Sequence, residues 1–228
     1  MSVELFNAVY HCVYDHLLKW RKLKPLTIKL NDIQLNSVKS YVYKIVKIDC
    51  VPEDSPINFE PIISIENKLV ALFDYRSKYP GIDLSTITSI IIVHPNTEKT
   101  KEALKTVYKN INTTIKCTIM ISEHDLLGTK MSINNYIPGT KFYNFTYPLF
   151  KTVIPEHYLV PKHEILSSEE KELLPDALKI VPAKALPHIR LFDPMCIWIG
   201  AIEGDIIKIT RSNYTTGLSI AYRQVVSR

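Results

Sequence analysis

Glycine is scarce, six residues in 228, and neither GxGxxG nor GxxxxGKS/T occurs. The phosphate-cradling loops of the commonest nucleotide-binding folds are therefore excluded. Cysteine is scarcer still. Cys12, Cys50, Cys117 and Cys196 stand far apart, with no Cys-x-x-Cys among them. That leaves neither a disulfide framework nor a sequence-local zinc site, and it points to a reducing, intracellular setting. Long apolar runs are missing too. The longest, Ser89 to Val93, is strand length, against the roughly 20 residues that cross a bilayer, so no membrane partner is expected. The N-terminal stretch lacks a basic n-region and carries Glu4 and Asp15 among its apolar residues, which argues against a signal peptide. Neither charge is in large excess. The 28 basic and 23 acidic residues leave +5, which permits a polyanionic partner without demanding one. Arginine is rare beside lysine, 6 against 22, in a chain with 30 isoleucines. Lys and Ile have AT-rich codons, so this ratio reflects an AT-rich genome rather than a function.

What remains is a globular composition, 46% hydrophobic and 22% charged, long enough for one large domain or two ordinary ones. Leu5, Val9, Cys12, Val13, His16 and Leu17 share one face of a predicted helix over residues 3 to 20, with Pro25 as its stop. Asn31 or Asp32 suits the cap of a second helix carrying Ile33 to Val46. Residues 49 to 61, with three prolines and four acids, read as a loop. Strand patterns then alternate with helical spacing: strand 61–65, helix 66–79, a Pro80-Gly81 turn, strand 88–94, helix 97–110 and strand 117–121. This is the signature of an α/β unit with right-handed crossovers. Residues 128 to 150 read as an irregular insertion. The character changes near Val153. Ser167 and Ser168 precede a short capped helix, and Asp193-Pro194 and Gly200 bracket another. Strands are expected over 206–210 and 218–226, with a turn from Arg211 to Gly217 in which Gly217 takes a positive φ. The fold class expected is an N-terminal α/β domain (1–153), a mixed sheet with flanking helices, followed by a small α+β domain (154–228).

The segment from His157 to Glu169 carries a distinctive pattern: His157, then Leu159-Val160-Pro161-Lys162-His163, then an apolar residue and an acid in fixed register. It resembles the signature of one archaeal RNA polymerase subunit, the equivalent of the fifth-largest shared subunit of the eukaryotic nuclear polymerases. Leu186-Pro187-His188-Ile189, Asp193-Pro194, Gly200, Gly204, Ile206 to Arg211 with Lys208, Gly217 and Tyr222-Arg223 follow the family in order and spacing, over residues 157 to 226. There are departures. Ile197-Trp198-Ile199-Gly200 stands for the family's Arg-Tyr-Tyr-Gly, Ala201-Ile202-Glu203-Gly204 carries no Lys-Arg-Gly, and Asn213 to Thr216 replaces its Ser-Glu-Thr. The leading helix and the α/β core are similar to the jaw domain of the eukaryotic member. Such drift on an AT-rich background suggests a large DNA virus's polymerase, with a virion or host-cytoplasm location or alternatively a nuclear one.

The resemblance implies a non-catalytic subunit, monomeric within a hetero-oligomer and without a cofactor. Its C-terminal module would anchor to the largest subunit beside other polymerase subunits, and its N-terminal module would lie near downstream DNA. Phosphodiester synthesis and its Mg²⁺ would belong to the two large subunits. Interface candidates are His157, Pro161, His163, Pro187, Asp193, Pro194, Gly200, Gly204, Lys208, Arg211, Gly217, Tyr222 and Arg223. The bland readings stand beside these. His157 and His163 bond to backbone and stiffen the hinge between modules, since Pro161 keeps them off one helix face. Asp193 is a cap, and Arg211 and Arg223 belong to a solvated sheet face. The cations Lys19, Arg21, Lys22 and Lys24 are candidates for DNA phosphates or, equally, a solvated helix end. Two other classes remain. One is a stand-alone metal-dependent nuclease using Glu53-Asp54 and Glu66-Asn67-Lys68, an acid…acid-x-Lys array that chance readily produces in a lysine-rich chain. The other is a free DNA-binding adaptor.

Overall fold

The structure is a computed structural model that describes residues 3–26, 29–33, 46–55, 88–93, 117–123, 141–178, 186–213 and 217–227. Two compact units divide the chain, Met1–Lys151 and Thr152–Arg228. In the first, α1 (Val3–Cys12) runs through a π turn (Val13–Leu17) into a last α-helical turn, α2 (Leu18–Trp20). Val9, Cys12, Val13 and Leu17 are buried as their spacing requires, while Leu5 and His16 are half-buried. The buried stripe also takes in Phe6 and Tyr10. The π turn, which adds a residue to one turn, carries it on to Leu18. The helix ends at Trp20, the end of the predicted span, before Pro25 is reached. Arg21 and Lys22 make a turn with Lys22 at φ 54°, and β1 (Leu23–Pro25) follows. Residues 29–33 are pinned to the helix. The Tyr10 hydroxyl accepts from the Leu30 amide at 3.0 Å, and Asp15 takes the Lys29 ammonium on both oxygens at 2.7 and 2.6 Å. Asp32, a predicted helix cap, places Oδ1 2.8 Å from His11 Nε2. Residues 34–45 of the second predicted helix lie outside the described residues, but its last position, Val46, starts a strand.

The sheet of this unit is mixed, in the order β1-β2-β3-β4-β5, with β2 (Val46–Pro52), β3 (Ser89–Val93), β4 (Cys117–Ser122) and β5 (Lys141–Thr146). β1/β2 and β2/β3 are antiparallel, whereas β3/β4 and β4/β5 are parallel. Two expectations fail here. Residues 49–52 are strand, not loop, because Val46, Ile48 and Cys50 alternate with Lys47 and Asp49, a period of two that the nearby prolines and acids obscured. Residues 141–146 are strand rather than insertion. Tyr143 and Phe145, stacked at 6.0 Å, have the aromatic side chains that suit a pleated surface. Ile90 to Val93 and Ile119 to Ile121 are buried on both faces, as central strands of such a sheet must be. The predicted elements at 61–65, 66–79, 80–81 and 97–110 lie outside the described residues.

In the second unit β6 (Lys162–Ile165), β7 (His188–Arg190), β8 (Ile206–Asn213) and β9 (Gly217–Val226) form a sheet in the order β6-β8-β9-β7. Only the last pair is parallel. α3 (Ser168–Leu178) is longer than the predicted helix and continues through Pro175. It covers one face, where Leu166, Leu174, Leu186 and Ile206 cluster with Tyr222. α4 (Pro194–Ile199) covers the other, where Cys196 and Ala201 meet Ile189, Ile207, Ile209 and Val225. β8 reaches Asn213, so Arg211 lies in a strand and not in the predicted turn.

Candidate assembly surface of the C-terminal unit

Hydrogen bonds close both helices of the small unit. Ser167 and Glu170 form a reciprocal capping box at the start of α3. The Ser167 amide donates to Glu170 Oε2 at 2.9 Å, and the Glu170 amide donates to Ser167 Oγ at 3.2 Å. The Ser167 amide, with the Ser167 hydroxyl and nearby Lys208 adding, holds the Glu170 carboxyl below its ordinary value. Asp193 caps α4, its Oδ1 accepting from the Met195 amide at 2.9 Å, and Pro194 occupies the first helical position. Gly200 ends the helix at φ 74°, and the Ala201 amide donates to the Cys196 carbonyl, the left-handed stop that glycine makes cheaply. Burial, with Asp193 and Asp205 adding, pushes the Cys196 thiol up to about 12, so it packs rather than reacts.

A residue that no sequence pattern marked ties these pieces together. Asp205 accepts from Lys171 Nζ at 3.0 Å on one oxygen and from the Ile202 amide at 2.9 Å on the other. Its carbonyl accepts from Val225, and Val225 in turn accepts from Gly204, at φ 90°. The partners stand 34 residues apart in the Lys171 pair, so spacing gave no signal.

The remaining interface candidates fall into four places. His157 and His163 each bond to nearby backbone. His157 Nδ1 accepts from the Leu159 amide at 3.2 Å, with the ring stacked on Tyr158, and His163 Nδ1 lies 2.7 Å from the Pro161 carbonyl. Lys208 stands in a cross-strand row with Glu164 and Tyr222. Pro187 accepts from the Gln224 amide, and Arg223 Nη1 donates to the His188 carbonyl at 3.0 Å, both at the start of β7. Arg211 and Gly217 lie at the far end of the β8–β9 hairpin, beyond both helix-covered clusters, and are exposed. Strand register sets β6 beside this hairpin, with Lys162 opposite Thr210 and His163 opposite Ile209, so Arg211 stands next to the histidine segment, while Gly217 lies one strand further on and Pro187 at the opposite edge of the sheet.

The four N-terminal cations separate as well. Lys19 and Lys22 are exposed, and Lys24 is half-buried in β1 opposite Val51. Arg21 is half-buried, and loss of hydration lowers the pKa of its guanidinium, with Cys117, Tyr143 and Cys50 near enough to act on its charge. Strand register puts those three on one face of the first sheet. Of the nuclease array, Glu53 and Asp54 are exposed in the turn after β2, and Glu66-Asn67-Lys68 lies outside the described residues.

The second unit is a capped, four-stranded α+β module with helices on both faces of its sheet. The family described as RNA polymerase Rpb5, C-terminal domain, matches residues 152–225. The DNA-directed RNA polymerase subunit Rpo5 of Archaeoglobus fulgidus is 50% identical over 78 residues, which are 33% of this chain and 99% of that protein. The subunit Rpo5 of Sulfolobus acidocaldarius is 52% identical over 77 residues (34% and 90%), and that of Methanocaldococcus jannaschii 44% over 75 residues (33% and 95%). This chain belongs to the Rpb5/Rpo5 family of DNA-directed RNA polymerase subunits.

Proposed function

We propose that the C-terminal unit anchors this chain to the largest subunit of a multisubunit RNA polymerase. On this reading the N-terminal unit lies beside downstream DNA, and the chain itself is non-catalytic. The observation that carries the reading is the family match at 152–225, which spans nearly the whole second unit. Its caps and its Lys171–Asp205 tie make that unit a stiff platform for a partner. Arginines such as Arg211 and Arg223 suit a docking face, since arginine is enriched where proteins meet. A large DNA virus remains the source that the AT-rich composition favours. The test is a pull-down with the full chain and with residues 152–228 and 1–151. The largest subunit is expected with the full chain and the C-terminal piece. Capture by 1–151 alone would overturn the anchor.

The DNA role rests on Lys19 and Lys22, exposed at the end of the leading helix. Phosphate contacts carry little sequence information, and each one lost lowers the log–log salt slope by about 0.9. Replacing Lys19, Arg21, Lys22 and Lys24 with Ala is expected to flatten the salt dependence of elongation-complex stability, most of it through the two exposed lysines, and to leave assembly intact. Identical slopes would assign the cluster to a solvated helix end.

A further inference from the structure

The sheet of the C-terminal unit has one edge treated unlike the others. β7 pairs with β9 only at Gln224, Val225 and Val226. Because the Gln224 amide donates to Pro187 while Val225 bonds to Asp205 and Gly204 on the β8 side, the alternation of a strand fixes the rest. The N–H and C=O groups of Leu218, Ile220 and Tyr222 point away from β8, along the continuation of the β7 side. No described residue hydrogen-bonds to them there, and Leu218 and Ile220 are 74% and 53% exposed. Gly217 to Tyr222 carries no charge and no proline. Monomeric proteins guard open edges with such residues, and the opposite edge of this sheet is guarded: β6 follows Pro161 and carries the Lys162–Glu164 ion pair at 2.7 Å.

The two faces of the bare edge differ. Leu218, Ile220 and Tyr222 share one face, whereas Ser219 and Ala221 lie on the other between Arg211, opposite Ser219, and Arg223. On that second face no described residue of the four strands carries a carboxylate. A second copy paired along the same edge would bring like charges together. An extended segment with apolar side chains on one side and Asp or Glu on the other meets every feature at once.

We propose that β9, from Leu218 to Tyr222, accepts an added strand from the chain's polymerase partner, an amphipathic segment whose acidic side faces Arg211 and Arg223. Main-chain pairing supplies the affinity and the alternating side chains the selectivity. This rests on the polymerase reading above and names the surface that serves it. The test is hydrogen–deuterium exchange resolved to single amides, on the full chain free and in the purified polymerase. Assembly is expected to slow the amides of Leu218, Ile220 and Tyr222 at least about tenfold. Those of Ser219 and Ala221, which face β8, are expected to be protected in both states. Ile220→Pro removes an outward N–H, a change that edge strands tolerate. It is expected to weaken incorporation about five- to tenfold, the scale of one or two lost hydrogen bonds, with the free chain still folded. Normal incorporation with freely exchanging Leu218, Ile220 and Tyr222 amides would overturn the strand addition and leave the polymerase reading standing. Failure of the wild-type chain to co-purify with polymerase would overturn both. Protection of the same amides in the free chain, rising with its concentration, would assign the edge to a second copy instead.

Discussion

The two units solve the same problem in different ways. The first buries a broad sheet, and Ile90 to Val93 and Ile119 to Ile121 are shielded on both faces. The second has about 75 residues and a sheet whose hairpin end no described helix covers. It spends polar side chains on fixing termini: Ser167 with Glu170 at α3, Asp193 at α4, and Asp205 between α3, the Gly204 turn and β9. Small domains bury proportionally less surface, so caps of about 1 kcal/mol each carry more weight there. The difference teaches where each unit is vulnerable, the first in its apolar strands and the second at its joints as well as its core.

Core lesions separate the units most strongly. Each unit holds one of the two tryptophans, Trp20 and Trp198. Trp198→Ala is expected to cost about 3–5 kcal/mol and Ile91→Ala about 2–5 kcal/mol, each melting its own unit first. In Trp198→Ala the emission of Trp20, followed with temperature, reports the undamaged first unit; Ile91→Ala keeps both tryptophans, and calorimetry counts the transitions of each variant. A single calorimetric transition in both variants would show that the units do not melt separately.

The next effect is local to the joints. Gly204 and Gly217 both have positive φ, at 90° and 73°, and an added Cβ meets nothing within 4 Å at either. The cost of substitution is therefore conformational, on the order of 1–2 kcal/mol. Gly217→Val, which adds β-branching, is expected to lower the melting temperature more than Gly204→Ala. Equal shifts would refute the ranking.

The smallest effect should come from the capping box. Ser167→Ala is expected to cost about 1 kcal/mol and to let the Glu170 pKa rise toward its ordinary value. In the wild type the folded carboxyl titrates below the unfolded one. Its stabilising contribution is therefore present above the unfolded value of 4.5 and is lost as pH falls through the folded value. Unfolding free energy measured on either side of that window is expected to drop on acidification less in Ser167→Ala than in the wild type. Equal drops would remove the box from the stability of α3.

The C-terminal unit was the more legible of the two. Asp193-Pro194, Gly200 and the Ser167 segment carry their instructions locally, because capping is decided within four residues. β2 and β5 run against their sequence cues: the prolines and acids near Pro52 obscure the alternation from Val46 to Cys50, and Phe142-Tyr143-Asn144-Phe145 sets aromatics at odd and even positions alike and so shows no clean period of two. β6 and β7 escaped prediction because strands of four and three residues hold too few alternations to register. Asp205's role is set by Lys171 and Val225, far away in sequence, and only the folded chain brings them together.

The strand order β6-β8-β9-β7 has a consequence for how the chain comes off the ribosome. β9 is the last of the four to be synthesised, yet it lies inside the sheet and is, among the described residues, the only strand paired with β7. Until Val226 has cleared the exit tunnel, β7 has no sheet to join and Asp205 has no Val225 to bind. The unit can therefore close only once β9 has emerged, in a step governed by contacts distant in sequence, which fold more slowly than local ones. During that wait β6 and β8 can pair by themselves, with Ile207 and Ile209 open to water. That interval, more than the finished fold, is when the nascent chain is most exposed to aggregation.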